Sequence, residues 1–195
     1  MPPNISWQCS LGGCELDNTH FTSAPLAVYN PAGFQCWMHL DGDAVENVPY
    51  GRMTIHVYPI SDARLQLIFR HGNNFGYPWA HRHYRVIFTE GSRTELWRYD
   101  APGWFFIGDW PGWWTLGDWV GVGILWWHLC SLDAIPAFGV QLAVKENDEW
   151  LVVGNVIDPL NKWADASVNR VALSMYDGPF WIDDFELHAL PPPTP

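Results

Sequence analysis

Apolar and polar residues alternate with a period of two along most of this chain, and that pattern constrains the fold more than any other feature. Arg52 to Tyr58 sets Met53, Ile55 and Val57 against Arg52, Thr54 and His56. Arg64 to Arg70 sets Leu65, Leu67 and Phe69 against Arg64, Gln66 and Arg70, and His83 to Thr89 sets Tyr84, Val86 and Phe88 against His83, Arg85 and Thr89. The cleanest run is Phe138 to Val144, with Phe138, Val140, Leu142 and Val144 inward and Gly139, Gln141, Ala143 and Lys145 opposite. Turn residues separate the runs: His71-Gly72-Asn73-Asn74, Glu90-Gly91-Ser92, Glu146-Asn147-Asp148 and Asp177-Gly178-Pro179. The third of these joins the Phe138 strand to Trp150–Val153 as a hairpin. No stretch of a dozen residues has helical periodicity, and Asp158 to Trp163 is expected to form a short helical turn. Many short strands at this spacing predict an all-β sandwich or barrel. With 195 residues and 48% hydrophobic content, residues 1–190 suffice for one domain with a sizeable core. The Pro-rich tail 191–195 is expected to be extended.

Charge narrows the partners. The formal net charge of -11 repels phosphate backbones and anionic bilayers, so neither nucleic acid nor a membrane surface is expected. Trp104 to Trp127 is apolar, but Asp109, Pro111, Asp118 and several glycines interrupt it, which argues against membrane insertion. Met1 to Ser10 carries no basic and apolar leader pattern, so no signal peptide is expected. Cys9, Cys14, Cys36 and Cys130 match no zinc spacing. They leave two disulfides, including a short Cys9–Cys14 loop, and buried free thiols equally open.

The C-terminal third carries a more specific pattern. Trp127-His128 is expected to open a strand, and the hairpin and a loop holding Asp158 and Trp163 follow. The strand Arg170 to Tyr176 then leads through Asp177-Gly178 to Trp181-Ile182-Asp183-Asp184-Phe185-Glu186-Leu187. This order resembles the end of the concanavalin A-like lectin/glucanase superfamily, with its laminin-G-like jelly rolls, most specifically over residues 120–190. The resemblance implies a two-sheet antiparallel jelly-roll β-sandwich. Simple alternation on the last strand puts Trp181, Asp183, Phe185 and Leu187 inward. Asp183 is expected to be a latch holding a terminal loop. Asp183 and Asp184 are the candidate metal ligands, because some members of that superfamily carry structural calcium. No other cofactor is expected.

Glycosidases of that fold need two carboxylates flanking the scissile bond. Glu146-Asn147-Asp148-Glu149-Trp150 lies in a turn and breaks the alternation. Asp184-Phe185-Glu186-Leu187-His188 places Asp, Glu and His on one face, but on the closing strand rather than a central one. His81-Arg82-His83 lacks acidic or cysteine partners nearby, and no nucleophile elbow or phosphate loop occurs. No catalytic residue is assigned, and a glycoside hydrolase is the third reading.

Fourteen tryptophans remain to be explained, seven of them between Trp104 and Trp127. Trp181, Trp97 and Trp127 are expected to fill the space between two sheets. The Gly- and Pro-rich segment from Ala101 to Trp114 is expected to be partly loop and to expose indoles. Trp104, Asp109, Trp110, Trp113, Trp114, Asp118 and Trp119 are therefore the candidate binding residues. The first reading is a non-enzymatic recognition or assembly module, a structural or decoration protein on a virus (phage) particle surface. Its expected partners are the particle's protein subunits, with homo-oligomers in view and synthesis in the cytoplasm. The alternative is a lectin-like, carbohydrate-binding module that stacks glycans on exposed tryptophan.

Overall fold

The computed structural model describes residues 6–11, 14–19, 22, 27–31, 36–41, 47–60, 63–72, 82–89, 93–112, 116–129, 137–163 and 168–191. These form strands, turns and bends, with no helix among them. Numbered in chain order, the first sheet runs β1 (Ser6–Leu11), β4 (Cys36–Asp41), β13 (Arg170–Asp177), β6 (Ala63–His71), β7 (His83–Thr89), β8 (Thr94–Asp100), β9 (Gly103–Trp110). The second runs β12 (Glu149–Asp158), β11 (Ala137–Glu146), β10 (Val120–Leu129), β5 (Gly51–Pro59), β14 (Phe180–Ala189), β3 (Ala27–Asn30), β2 (Glu15–Asp17). Neighbouring strands are antiparallel in both sheets, as the sandwich expectation requires.

The alternating residues meet between the sheets. Met53, Ile55 and Val57 of β5, with Val122, Ile124 and Trp126 of β10 and Phe138, Val140 and Leu142 of β11, face Leu65, Leu67, Phe69, Tyr84, Val86 and Phe88 from the other sheet. Phe69 sits at the centre of an aromatic cluster, with ring centroids 4.9 Å from Trp126, 5.7 Å from Tyr84 and 6.2 Å from Phe138. Burying each such ring contributes about 1.5–3 kcal/mol. Among the described residues, the fully buried indoles of the core are Trp110 and Trp126, with Trp163 packed against it, not the expected trio. Trp97 lies on the outer face of the first sheet, its ring 5.3 Å from Phe106. Trp127 pairs with Gly139 on the outer face of the second sheet, one residue out of phase with Trp126. Trp127 and His128 end β10 rather than opening a strand.

The last strand departs from simple alternation. Asp183 pairs with His56 and Glu186 with Thr54, so Asp184 and Phe185 together oppose the single residue Ile55. This is a β-bulge, and Asp184 takes the left-handed conformation it requires, at φ 49°. Before the bulge, Phe180 and Ile182 enter the core while Trp181 and Asp183 face outward. After it, Leu187 packs against the core beside Met53 while Glu186 faces outward. Sequence alternation thus assigned Phe185 and Leu187 correctly and Trp181 and Asp183 to the wrong face. Trp181 is covered from outside instead, stacked on Tyr29 at 4.6 Å and edge-on to Tyr58 at 5.6 Å.

Three local devices fix the frame. Asn147 and Asp148 join β11 to β12 with φ of 49° and 66°, the doubly left-handed turn that matches strand twist. Asp158, fully buried at the end of β12, accepts hydrogen bonds from Arg98 Nη1 (2.5 Å), Tyr84 Oη (2.7 Å) and the Leu160 amide (2.9 Å). Turns and bends, not a helical turn, follow it. Burial, reinforced by the Asp158 carboxylate, holds the Tyr84 phenol well above its usual range. A disulfide joins Cys14, just before β2 of the second sheet, to Cys36, which opens β4 of the first. The pairing is therefore not the short Cys9–Cys14 loop. Cys130 lies outside the described residues, as do His81, Asn73 and Asn74.

Two outcomes follow. The cystine closes a sequence separation of 22 residues, which in the chain-entropy view stabilises the fold by about 3 kcal/mol. Urea unfolding with and without reductant, or of the Cys14→Ser/Cys36→Ser protein, reads that loss. Asp158→Leu leaves Arg98 buried and uncompensated and costs about 3–5 kcal/mol. Adding Arg98→Met recovers part of it, and a double-mutant cycle that is strictly additive contradicts the buried pair.

Candidate functional site

The outer face of the second sheet carries the polar phase of β5, β10, β11 and β14. Across one row lie Lys145, Gly121, His56 and Asp183, and across the next Ala143, Gly123, Thr54 and Glu186. The two-residue turn places Trp150 of β12 directly opposite Lys145. Close approach requires the glycine at 121 and leaves little room for a side chain at 123. A Cβ at Gly121 would come within 2.5 Å of Lys145 Cβ, and one at Gly123 within 3.3 Å of the Trp150 ring and 3.1 Å of Thr54 Cγ2. The indole lies over this glycine floor with 41% of the residue exposed. Thr54, His56, Lys145, Trp150, Asp184, Phe185 and Glu186 enclose an open depression of about 450 Å³.

The charges around it are partly paired. Lys145 Nζ lies 3.4 Å from Asp148, His56 Nδ1 lies 3.3 Å from Asp184, and His188 Nε2 lies 3.4 Å from Glu186. Burial holds His56 below its ordinary pKa despite the opposing pull of Asp184, so at pH 7 the imidazole is neutral and offers one donor and one acceptor. Asp183 accepts from the Thr22 amide at 2.7 Å, and the Thr22 hydroxyl lies 2.9 Å from Asp183 and 2.5 Å from Asp184. The adjacent carboxylates thus pin residue 22 to β14, the latch expected of Asp183. Among the described residues, no group of three or more His, Cys, Asp or Glu is arranged to hold a metal.

The tryptophan-rich segment does not form one surface. Residues 103–110 are strand β9 rather than loop. Trp104 packs on the outer face of the first sheet, 4.7 Å from Tyr99 and 5.2 Å from His83, with the Arg85 guanidinium 3.6 Å over its ring. Asp109 is paired with Arg93 on the same sheet. Trp110 points into the core, 4% exposed, and offers nothing to a ligand. Exposed Asp118 accepts from the Trp119 amide at 2.8 Å, and Trp119 reaches the second sheet, edge-on to Tyr58 at 5.6 Å. Trp113 and Trp114 lie outside the described residues. Adjacency in sequence misleads here because β9 and β10 belong to different sheets. The residues of the depression were visible only as the polar phase of the strands. The signal that locates them is the two-residue turn, which fixes Trp150 opposite Lys145. Strand β14, last in sequence, is also not peripheral, since β5 and β3 flank it.

No protein-family model matches the sequence, and no curated protein does. Solved structures do match. Carbohydrate-binding module CBM66 from Bacillus subtilis aligns with a TM-score of 0.60 at 8% identity, over 95% of this chain and 97% of its own. The potassium-bound carbohydrate recognition domain of Emp46p aligns at 0.60 and 9% identity, over 94% of this chain and 88% of its own. The PL-14 alginate lyase from Aplysia kurodai aligns at 0.59 and 11% identity, over 91% and 87%. At such identities the likeness defines the fold, a two-sheet jelly-roll sandwich.

The glycine floor generates a test. Gly123→Val puts methyl groups where the Trp150 ring lies, so the indole tips away from the sheet. The Trp150 indole N–H resonance, assigned by its loss in Trp150→Phe, shifts while the core resonances of Trp126 stay in place. An unmoved Trp150 resonance contradicts the packing described.

Proposed function

We propose that this chain is a divergent, non-catalytic carbohydrate-binding domain of the concanavalin A-like kind, and that it holds glycan on the outer face of its second sheet. The observation that carries this reading is the exposed Trp150 indole ringed by Thr54, His56, Lys145, Asp184 and Glu186 in one shallow depression. An indole face covers the apolar C–H face of a sugar, while hydroxyls need nearby donors and acceptors that are already ordered. His56 supplies its Nε2, Thr54 a hydroxyl, Lys145 a donor, and the carboxylates acceptors. Structural neighbours named as a carbohydrate-binding module and a carbohydrate recognition domain support the same reading.

Binding is favoured over catalysis because a glycosidase acid needs a carboxyl held protonated in an apolar enclosure. The Glu186 side chain is 63% exposed, and Asp184 is committed to Thr22 and His56. The particle-surface reading drew in part on a Trp-rich loop, and the described part of that segment divides between two sheets.

Trp150→Ala is expected to weaken glycan binding about tenfold or more, from loss of about 1.4 kcal/mol of stacking, with an unchanged melting temperature. A broad glycan array followed by titration calorimetry measures this. A silent array, or equal binding by the variant, sinks the proposal. Release of shortened or unsaturated sugars replaces binding with catalysis.

A further inference from the structure

We infer that the ligand is a carboxylate-free oligosaccharide chain, bound along its length from Trp150 to Trp119, rather than a polyuronate or a single terminal sugar. This inference rests on the binding reading above. Its first ground is charge. Of the side chains enclosing the depression, Lys145 is the one cation, and it is already paired with Asp148. Against it stand Asp184 and Glu186, with Asp183 alongside. His56 adds no positive charge, and no arginine in the depression presents the forked donors that recognise carboxylates. A string of sugar carboxylates would enter a net acidic site on a chain of formal charge -11. Hydroxyl-bearing sugars meet no such repulsion and can donate to the same carboxylates.

The second ground is length. The Trp150 ring lies 6.5 Å from His56 by ring centroids. Tyr58 follows two residues along β5 on the same face, about 7 Å further. Trp119, one residue before β10, stands beside Tyr58 at 5.6 Å, four residues from Gly123, over which the Trp150 ring lies. Aromatic surface therefore recurs along β10 from the Trp150 ring to Trp119, a span of about 13 Å and longer than one sugar ring. The depression is open at the surface, so it does not close around a single sugar.

The experiment is titration calorimetry of the intact protein with two ladders of two to six sugars, one of neutral gluco-, xylo- and manno-oligomers and one of uronate oligomers, at 20 and 500 mM salt. Neutral oligomers are expected to bind with affinity that rises beyond the disaccharide and is insensitive to salt. Uronate oligomers are expected to bind at least about tenfold more weakly, the ratio that about 1.4 kcal/mol of repulsion gives. Trp119→Ala should remove the gain with length and leave disaccharide binding intact. Glu186→Lys, an exposed change that spares the core, should raise uronate affinity. Uronates that bind as well as neutral chains, or neutral affinity that is flat with length, overturn the inference while leaving the binding reading standing. Silence from every oligomer overturns that reading itself.

Discussion

One extra residue in β14 decides what the outer face of the second sheet contains. Strand side chains alternate strictly, so a shift of one position exchanges core and solvent faces for everything that follows. Continued alternation from Phe180 and Ile182 would drive Glu186 and His188 into the core and leave Leu187 in water. The bulge at Asp184 and Phe185 absorbs the mismatch within two residues. It returns Leu187 to Met53 and delivers Asp184 and Glu186 to the depression. Asp184 is suited to the task because a short polar side chain tolerates the left-handed conformation better than most. Its carboxylate then bonds Thr22 and approaches His56, so the residue that makes the bulge also helps build the site.

The frame beneath it is held by buried polar groups whose charge is matched. Asp158 is met by Arg98, Tyr84 and a backbone amide. Arg70 has no carboxylate partner among its recorded hydrogen bonds. Its guanidinium donates to the carbonyls of Pro49 and Lys162 and to Asn161, and lies 3.9 Å from the Phe138 ring and 4.8 Å from the Tyr50 ring. Burial pushes its pKa down to about 10, which still leaves it cationic at neutral pH. Ring faces and carbonyl dipoles replace its water, as weakly hydrated guanidinium permits and ammonium does not. Both networks tie the loop after β12 to the core. The cystine adds a covalent link between the sheets on the far side, beside β2 and β4.

The fold was legible because burial on one face writes itself into the sequence at period two. Met53-Ile55-Val57 and Phe138-Val140-Leu142 declare both strand and facing, and Asn147-Asp148 declares the turn. The assignments that failed did so where alternation changes phase or sequence distance misrepresents space. Trp181 was misassigned because a bulge leaves no mark beyond an awkward Asp-Asp pair. Trp110 and Trp104 were grouped because six residues separate them, yet the intervening bulge in β9 helps turn one to the core and the other to the outside. The candidate site was least legible. Its side chains come from four strands spread from Thr54 to Glu186, and no local motif contains them. What sequence did hold was the ingredient list, with His56 and Thr54 on one polar phase and Lys145 on another.

That separation of phases has a functional consequence. In each central strand the odd or even positions secure the fold, and the complementary set forms the outer face, where the proposed binding would take place. Thr54, His56 and Lys145 can change without enlarging a cavity between the sheets, because their neighbours Met53, Ile55, Val57 and Val144 do the packing. A rigid sheet also holds these groups in place, which would reduce the ordering cost of the proposed binding. Trp150 gains most from this. Its register is set by a two-residue turn and its room by Gly123, so little of its freedom remains to be lost. A scaffold of this kind keeps its shape while its outer face is rewritten, which accounts for a common sandwich at 8–11% identity among the neighbours described. Specificity in such a domain resides in a few outward side chains. Here those side chains combine one exposed indole, a neutral imidazole and an excess of carboxylates, and under the proposed role that chemistry would suit hydroxyl-rich chains and resist acidic ones.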